Sequence, residues 1–136
     1  MKDGGWRLKV SAQIVNEDMK NCTGSSGEEA AARYLRRKGY RVVSRNYRCR
    51  LGEIDLIALK KGTLVFCEVK ARNDKAFGEP FEAVSQYKQE RLKKLAEMYL
   101  LENRSERGLN YRFDVISILF EGRGRIEELI HIENAF

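Results

Sequence analysis

Alternating and periodic apolar positions divide this chain into strands and helices. Apolar, β-branched runs predict strands at about 40–47, 52–59 and 64–71, and again at Tyr111–Phe120 and Arg125–Ile132. Two stretches with helical spacing lie among them, one ending at Gly39 and one running roughly from Phe81 to Asn103. The predicted order is therefore helix, three strands, helix and strand, followed by one more strand.

The first helix carries an acidic residue on its apolar side. Ser26 or Gly27 caps the helix, and Glu28 stands at the start of an apolar stripe that continues three, four and seven positions later. Glu29 points elsewhere and can pair with Arg33 four residues on. We therefore expect Glu28 to face the body of the domain.

Charged residues interrupt the apolar runs of the second and third strands. A two-residue hairpin turn at Lys61-Gly62 places Asp55 opposite Glu68, and Glu53 opposite Lys70. Residues two apart on a strand share a face. The hairpin thus predicts a cluster of three carboxylates and one ammonium.

Such a cluster predicts a metal site. Two carboxylates about 4 Å apart repel each other by roughly 4 kcal/mol at an effective dielectric near 20, and one lysine neutralises only one of them. Mg²⁺, or Mn²⁺ in its place, is held by one or two carboxylates and keeps waters for a substrate phosphate. We expect Asp55, Glu68 and Glu53 to hold the cation, with Glu28 as a fourth acid. A solvated polar face is the alternative.

Composition limits the classes of protein. The 136 residues suit one domain, and the net charge of +6 is in the direction of a nucleic-acid binder. Cys22, Cys49 and Cys67 form no CxxC pair, which favours reduced thiols, and Cys67 is expected to pack as a small hydrophobe. No apolar stretch approaches the ~18 residues of a membrane span. These patterns predict a cytoplasmic protein with no membrane partner.

The N-terminal part has little periodicity. Residues 1–26 are expected to form a flexible or weakly structured extension, in which only Trp6–Val10 suggests a short strand, and Met19 offers an alternative start. Residues 27–136 then form a single domain.

Several of these segments resemble one family. The chain is similar to the YraN-like family of uncharacterised bacterial proteins over about residues 24–132. The resemblance rests on Gly27-Glu28-x-x-Ala31-x-x-Tyr34-Leu35, Gly39-Tyr40, Asn46-Tyr47-Arg48, Gly52-Glu53-Ile54-Asp55-Leu56-Ile57-Ala58, Val65-Phe66-x-Glu68-Val69-Lys70-x-Arg72, Lys88 and Arg112-Phe113-Asp114.

The resemblance implies a fold and a site. The family is regarded as having a restriction-endonuclease-like fold, an α/β core of order αβββαβ with a central mixed sheet flanked by helices. It is distantly similar to archaeal Holliday junction resolvases and other PD-(D/E)xK nucleases. Asp55, Glu68 and Lys70 would hold the catalytic positions, with Glu28 as the helix acid. Ile54 stands where the motif's proline would precede the aspartate.

Other residues are weaker candidates. Arg48, Arg50, Arg72 and Lys88 could contact nucleic-acid phosphates, although such residues are often only solvated. Asp114 is expected to form a salt bridge at a sheet edge. His131 has no second ligand beside it and is expected to be structural or exposed.

Three functions remain open on the sequence. The leading one is a Mg²⁺-dependent endonuclease that hydrolyses DNA, with branched or otherwise structured DNA as a candidate substrate. The second is a non-catalytic nucleic-acid-binding module on a nuclease fold, and the third is an enzyme acting on RNA. Symmetric cleavage of two strands would favour a homodimer, but no stretch of the sequence marks an interface.

Overall fold

A computed structural model describes residues 9–13, 27–73, 85–121 and 125–136. Its strands are β1 (Lys9–Gln13), β2 (Arg41–Cys49), β3 (Gly52–Lys60), β4 (Thr63–Arg72), β5 (Asn110–Phe120) and β6 (Ile126–Glu133). The five strands predicted after residue 40 are confirmed, with ends that differ by one or two residues. β1 overlaps the expected strand only at Lys9 and Val10, and Trp6 lies outside the described residues.

Two α-helices accompany the strands in the described part of the chain. Helix α1 (Gly27–Arg37) ends before Gly39, whose φ of 93° is the left-handed conformation that glycine adopts at helix ends. Helix α2 (Gln86–Glu102) is capped at its N-terminus by Ser85, whose hydroxyl accepts a hydrogen bond from the Lys88 amide at 3.2 Å. The expected earlier start at Phe81 falls outside the described residues, as does the Ser26 cap. Neither helix is long and apolar enough to cross a membrane.

All six strands form one mixed sheet in the order β1-β6-β5-β4-β3-β2. Only β4 and β5 pair in parallel, and α2 lies between them in the chain. The β3–β4 hairpin has the predicted register from Lys60 opposite Thr63 to Leu56 opposite Cys67, but strand pairing ends there and does not include the expected pairs Asp55–Glu68 and Glu53–Lys70. Lys61 and Gly62 both have positive φ, 49° and 77°, as a two-residue type I′ turn requires.

Each helix covers one face of the sheet with its own apolar core. Helix α1 packs on one face through its alanines and Leu35, against residues that include Leu56 and the buried Cys67. Helix α2 packs on the other through Leu92, Leu95, Ala96 and Tyr99, against residues that include Ile54. The expected packing of Cys67 as a small hydrophobe is confirmed.

The alternation of β3 is interrupted at Asp55. Ile54 belongs to the α2 core and Leu56 to the α1 core, although residues two apart on a regular strand share a face. On the neighbouring strand Asn46, with φ 54°, is left out of the recorded pairing, which passes from Arg45 to Tyr47. The regular alternation from which a shared face for Glu53 and Asp55 was expected is therefore absent at this point of β3.

Candidate active site

The candidate site lies where β3 and β4 separate. Their pairing ends at Leu56 and Cys67, while β4 remains paired with β5 as far as Arg72. Next to the last backbone pair, the Asp55 side chain connects β3 to β4. Its Oδ2 accepts a hydrogen bond of 2.8 Å from the Val69 amide. Asp55 is therefore fixed at the mouth of a notch between the two strands.

Asp55 sits in surroundings that disfavour its charge. Burial raises the pKa of this carboxyl from 3.8 to about 6, and the nearby charges of Glu68, Glu28 and Glu53 add to the rise. The hydrogen bond from Val69 opposes the shift without cancelling it. Burial and three neighbouring carboxylates thus outweigh both this hydrogen bond and the Lys88 ammonium, which also interacts with Asp55.

Glu68 is the buried acid of the site. Its side chain is only 8% exposed, and its Oε2 is shared by two ammonium groups: Lys70 Nζ at 3.3 Å and Lys88 Nζ in direct contact. Lys70 lies two residues further along β4, while Lys88 reaches across from the first turn of α2. The crossover helix therefore supplies the second cation of the site.

The two lysines differ in their electrostatics. Burial lowers the pKa of Lys70, and the adjacent Lys88 ammonium lowers it further against the opposing effect of Glu68. Burial also disfavours the charge on Lys88, but its hydrogen bonds and the charges of Glu68 and Asp55 together outweigh burial and raise the pKa of Lys88. Lys70 is therefore the lysine that gives up its proton more easily.

The other two predicted acids, Glu28 and Glu53, act on Asp55 through their charges. Glu28, in the first turn of α1, is half-buried, and its charge acts on Asp55. Glu53 is 44% exposed and forms a salt bridge of 3.4 Å with Arg48 on β2. Across the described ranges, no three His, Cys, Asp or Glu side chains are gathered as a ready metal-binding group.

The residues present nevertheless suit a hard divalent cation. Mg²⁺ needs only one or two carboxylates and completes its shell with water. Asp55 and Glu68 provide two carboxylates, and Asp55 Oδ1 makes no hydrogen bond to any of the described residues. Burial and the neighbouring carboxylates raise the pKa of Asp55, and a bound cation would offset both effects, so the donor set fits such an ion.

The predicted phosphate contacts occupy different positions. Arg48 is largely exposed and pairs with Glu53, and Arg72 is half-buried near the end of β4. Lys88 contacts Glu68, so it belongs to the carboxylate cluster. Arg50 lines a groove beside α2. A larger groove of about 440 Å³, between α2 and the start of β5, includes no residue of the cluster.

A second buried polar network lies under α1. His131 is buried, and its ring nitrogens contact the Tyr34 hydroxyl at 2.8 Å and Asp114 Oδ2 at 2.7 Å. Arg112 donates to Asp114 Oδ1 at 2.9 Å. The expected salt bridge of Asp114 is confirmed, but its expected place at a sheet edge is wrong, because β5 lies inside the sheet between β4 and β6.

The sequence reasoning did not single out this network. Burial raises the pKa of Asp114, but the hydrogen bonds from His131, Arg112 and the Asn134 amide outweigh it and lower the pKa overall. The signal available in the sequence was a charged pair two residues apart within an apolar strand. The distant partners, Tyr34 and His131, could be found only from the tertiary structure.

The fold and the site define an α/β protein with a six-stranded mixed sheet, a helix on each face, and a carboxylate–lysine cluster where two strands separate. Residues 27–118 match the family described as "Uncharacterised protein family UPF0102". The chain belongs to this family, which confirms the YraN-like resemblance.

Curated relatives support this membership over most of the chain. The UPF0102 protein of Pelotomaculum thermopropionicum is 48% identical over 119 residues, covering 88% of this chain and 98% of the relative. That of Alkaliphilus oremlandii is 48% identical over 120 residues, covering 87% and 100%. That of Pelobacter propionicus is 42% identical over 137 aligned positions, covering 99% and 96%.

Proposed function

We propose that this protein is a divalent-metal-dependent endonuclease that hydrolyses phosphodiester bonds in DNA, with a restriction-endonuclease-like core. The observation that carries the proposal is the cluster of Asp55, Glu68, Lys70 and Lys88 at the notch between β3 and β4. The αβββαβ order from α1 to β5 is consistent with that core. Free Cys49 and Cys67 suit the reducing cytoplasm.

Each residue of the cluster has a proposed role. Asp55 and Glu68 would hold Mg²⁺ or Mn²⁺, which when bound activates water and stabilises charge on the phosphate. Lys70, whose pKa is lowered, holds the attacking water and takes its proton. Lys88 keeps its charge and neutralises the scissile phosphate. Glu28, in α1, would contribute negative charge beside Asp55.

Cleavage assays with substituted cluster residues test this proposal. Purified protein is incubated with Mg²⁺ or Mn²⁺ and with linear, flapped and four-way DNA, and with RNA of the same sequence. We expect cleavage of DNA by the wild type, and a loss of at least about 100-fold in Asp55→Asn, Glu68→Gln and Lys70→Met, as for removal of an essential charged group.

Neighbouring glutamates in α1 supply the matched control. Glu28→Gln removes a carboxylate close enough to act on Asp55, and the lost negative charge should weaken cation binding and reduce cleavage. Glu29→Gln removes the next residue, which forms ion pairs with Arg33 and Arg45, and should leave cleavage near the wild-type rate. Equal rates in the wild type and Asp55→Asn, or no cleavage of any substrate, would contradict the proposal.

One observation favours a second function, a nucleic-acid-binding module without catalysis. Glu68 is already neutralised by two lysines, and within the described segments no three-acid group is assembled. Such a module would bind DNA in a salt-dependent way. Divalent metal and Asp55→Asn would leave the DNA binding of such a module unchanged. The DNA binding of a nuclease would respond to both.

A further inference from the structure

The groove beside α2 that Arg50 lines has no role in the proposed hydrolysis. It has a volume of about 290 Å³ and lies between the β2–β3 turn and the first half of α2. Its lining combines three cations, one carboxylate and two apolar side chains: Arg50, Leu51, Tyr87, Glu90, Arg91 and Lys94.

The apolar groups of this groove are open to solvent. Tyr87 is 75% exposed and Leu51 is 40% exposed. The Arg91 guanidinium lies 5.8 Å from the centre of the Tyr87 ring, a cation–π contact that limits the ring's freedom. The lone carboxylate, Glu90, accepts a hydrogen bond from Gln86. An exposed aromatic ring among cations is the arrangement on which unpaired bases stack.

The position of the groove links it to the cluster. Tyr87 directly precedes Lys88, whose ammonium contacts Glu68. Gly52 lies beside α2, because a Cβ built there would be in ordinary van der Waals contact with Leu95 at 3.6 Å and with the Arg91 side chain at 3.8 Å. Asp55 follows Gly52 by three strand residues, a span of about 10 Å. A DNA strand could thus run from the cluster into the groove within a few nucleotides.

We propose that this groove binds an unstacked base of single-stranded DNA next to the scissile phosphate, with Tyr87 as the stacking platform and Arg50, Arg91 and Lys94 as phosphate contacts. The inference rests on the proposed nuclease function and gives its substrate class: DNA with a single-stranded segment, such as a flap or a branch. The alternative, contact with duplex phosphates alone, would need no exposed ring.

Binding assays in a background that cannot cleave test this inference. Asp55→Asn protein, with and without a change at Tyr87, is titrated into a fluorescein-labelled oligothymidylate of about 15 nucleotides, and separately into a duplex of similar length. We expect Tyr87→Ala to weaken binding of the single strand by about 5- to 100-fold and binding of the duplex by less than about twofold. Tyr87→Phe keeps the ring and should bind like the parent.

Two adjacent lysines of α2 provide the charge control. Lys94 lines this groove, while Lys93 lines the larger groove on another side of the helix. Lys94→Ala should lower the salt dependence of single-strand binding by about 0.7 in the log–log slope, the value of one phosphate contact. Lys93→Ala should leave that slope unchanged.

The outcomes separate this inference from the nuclease proposal. A Tyr87→Ala protein that binds the single strand as tightly as its parent would overturn the inference, as would an equal loss for single strand and duplex. Neither result depends on cleavage, because the titrations use Asp55→Asn protein. Loss of single-strand binding in Tyr87→Ala would support the groove even if no cleavage of any DNA were found.

Discussion

Asp55 and Asp114 lie on strands either side of β4, and they differ in how the fold treats their charge. Asp114 is fully buried but receives hydrogen bonds from His131, Arg112 and the Asn134 amide, so its pKa is lowered. Asp55 is partly buried, and burial together with three neighbouring carboxylates raises its pKa. A carboxylate that is well hydrogen-bonded stabilises a fold, whereas one whose pKa is raised beside other acids is a candidate for a functional site.

The first prediction at the residue scale is that Asp55→Asn stabilises the metal-free protein near neutral pH. Asparagine keeps an oxygen for the Val69 amide but removes the buried charge. After a discount for solvent screening, we expect a gain of about 1 kcal/mol in the free energy of unfolding, or about 3–5 °C in Tm. Thermal and urea denaturation in EDTA measure both quantities.

The pH dependence fixes the sign of this effect. The folded state holds the Asp55 proton more tightly than the unfolded chain, with pKa about 6 against 3.8. Between these values wild-type stability falls as pH rises, and this contribution levels off above about 6. The advantage of Asp55→Asn should therefore be absent below about pH 4 and complete above about pH 6.

Asp114→Asn is the matched control for this prediction. Because the pKa of Asp114 is lowered, its contribution to stability is present above the unfolded pKa and is lost as pH falls. The substitution should destabilise the protein at neutral pH by about 3 kcal/mol or more. If Asp55→Asn were as destabilising as Asp114→Asn, Asp55 would be a structural residue.

At the scale of elements, the close approach of α1 to β4 positions Glu28. Gly27 is the first residue of α1, and a Cβ added to it would lie 2.7 Å from the Cβ of Ala71 on β4. Real Cβ atoms do not approach so closely, so any other residue would push the start of α1 away from the sheet. Glu28 follows directly and would move with it.

Gly27→Ala should therefore destabilise the fold and disturb the site together. We expect a loss of about 1–3 kcal/mol, the usual cost of overpacking, with a parallel loss of cleavage. Ala71→Gly removes the opposing methyl group and should restore part of both. A double-mutant cycle on the free energy of unfolding measures this coupling. Gly108→Ala, where a Cβ meets nothing within 4 Å, is the control, and a Gly27→Ala protein as stable as this control would contradict the argument.

The elements also show what the sequence could and could not predict. The register of β3 against β4 was predictable because a glycine turn of two residues leaves one pairing that keeps both apolar faces in place. The interruption at Asp55 was not predictable. It coincides with the positive φ of Asn46 on the neighbouring strand, a backbone conformation that the apolar pattern does not indicate. The contact of Lys88 with Glu68 depends on where α2 crosses the sheet, which helical spacing alone does not give.

On the scale of the whole molecule, five basic side chains lie either in the carboxylate cluster or along the groove beside α2. The protein carries a net charge of +6. Lys70 and Lys88 form salt bridges with the Glu68 carboxylate. Arg50, Arg91 and Lys94 line the groove beside α2. A cation bound by Asp55 and Glu68 would replace the lysines as partner of Glu68 and leave their ammonium groups available to phosphate. Metal and DNA should therefore bind cooperatively.

We expect Ca²⁺ to raise the affinity of the wild type for flapped DNA by about tenfold, a coupling within the usual range of 1–3 kcal/mol. Because such coupling is reciprocal, the DNA should raise the affinity for Ca²⁺ by the same factor. Fluorescence anisotropy at matched ionic strength measures the first factor and titration calorimetry the second, with the DNA checked on a denaturing gel as uncut. Asp55→Asn should abolish the coupling and keep the metal-free affinity. Wild-type binding that is indifferent to Ca²⁺ would instead identify the protein as a binding module, because the lysines alone would then be the lasting partners of Glu68.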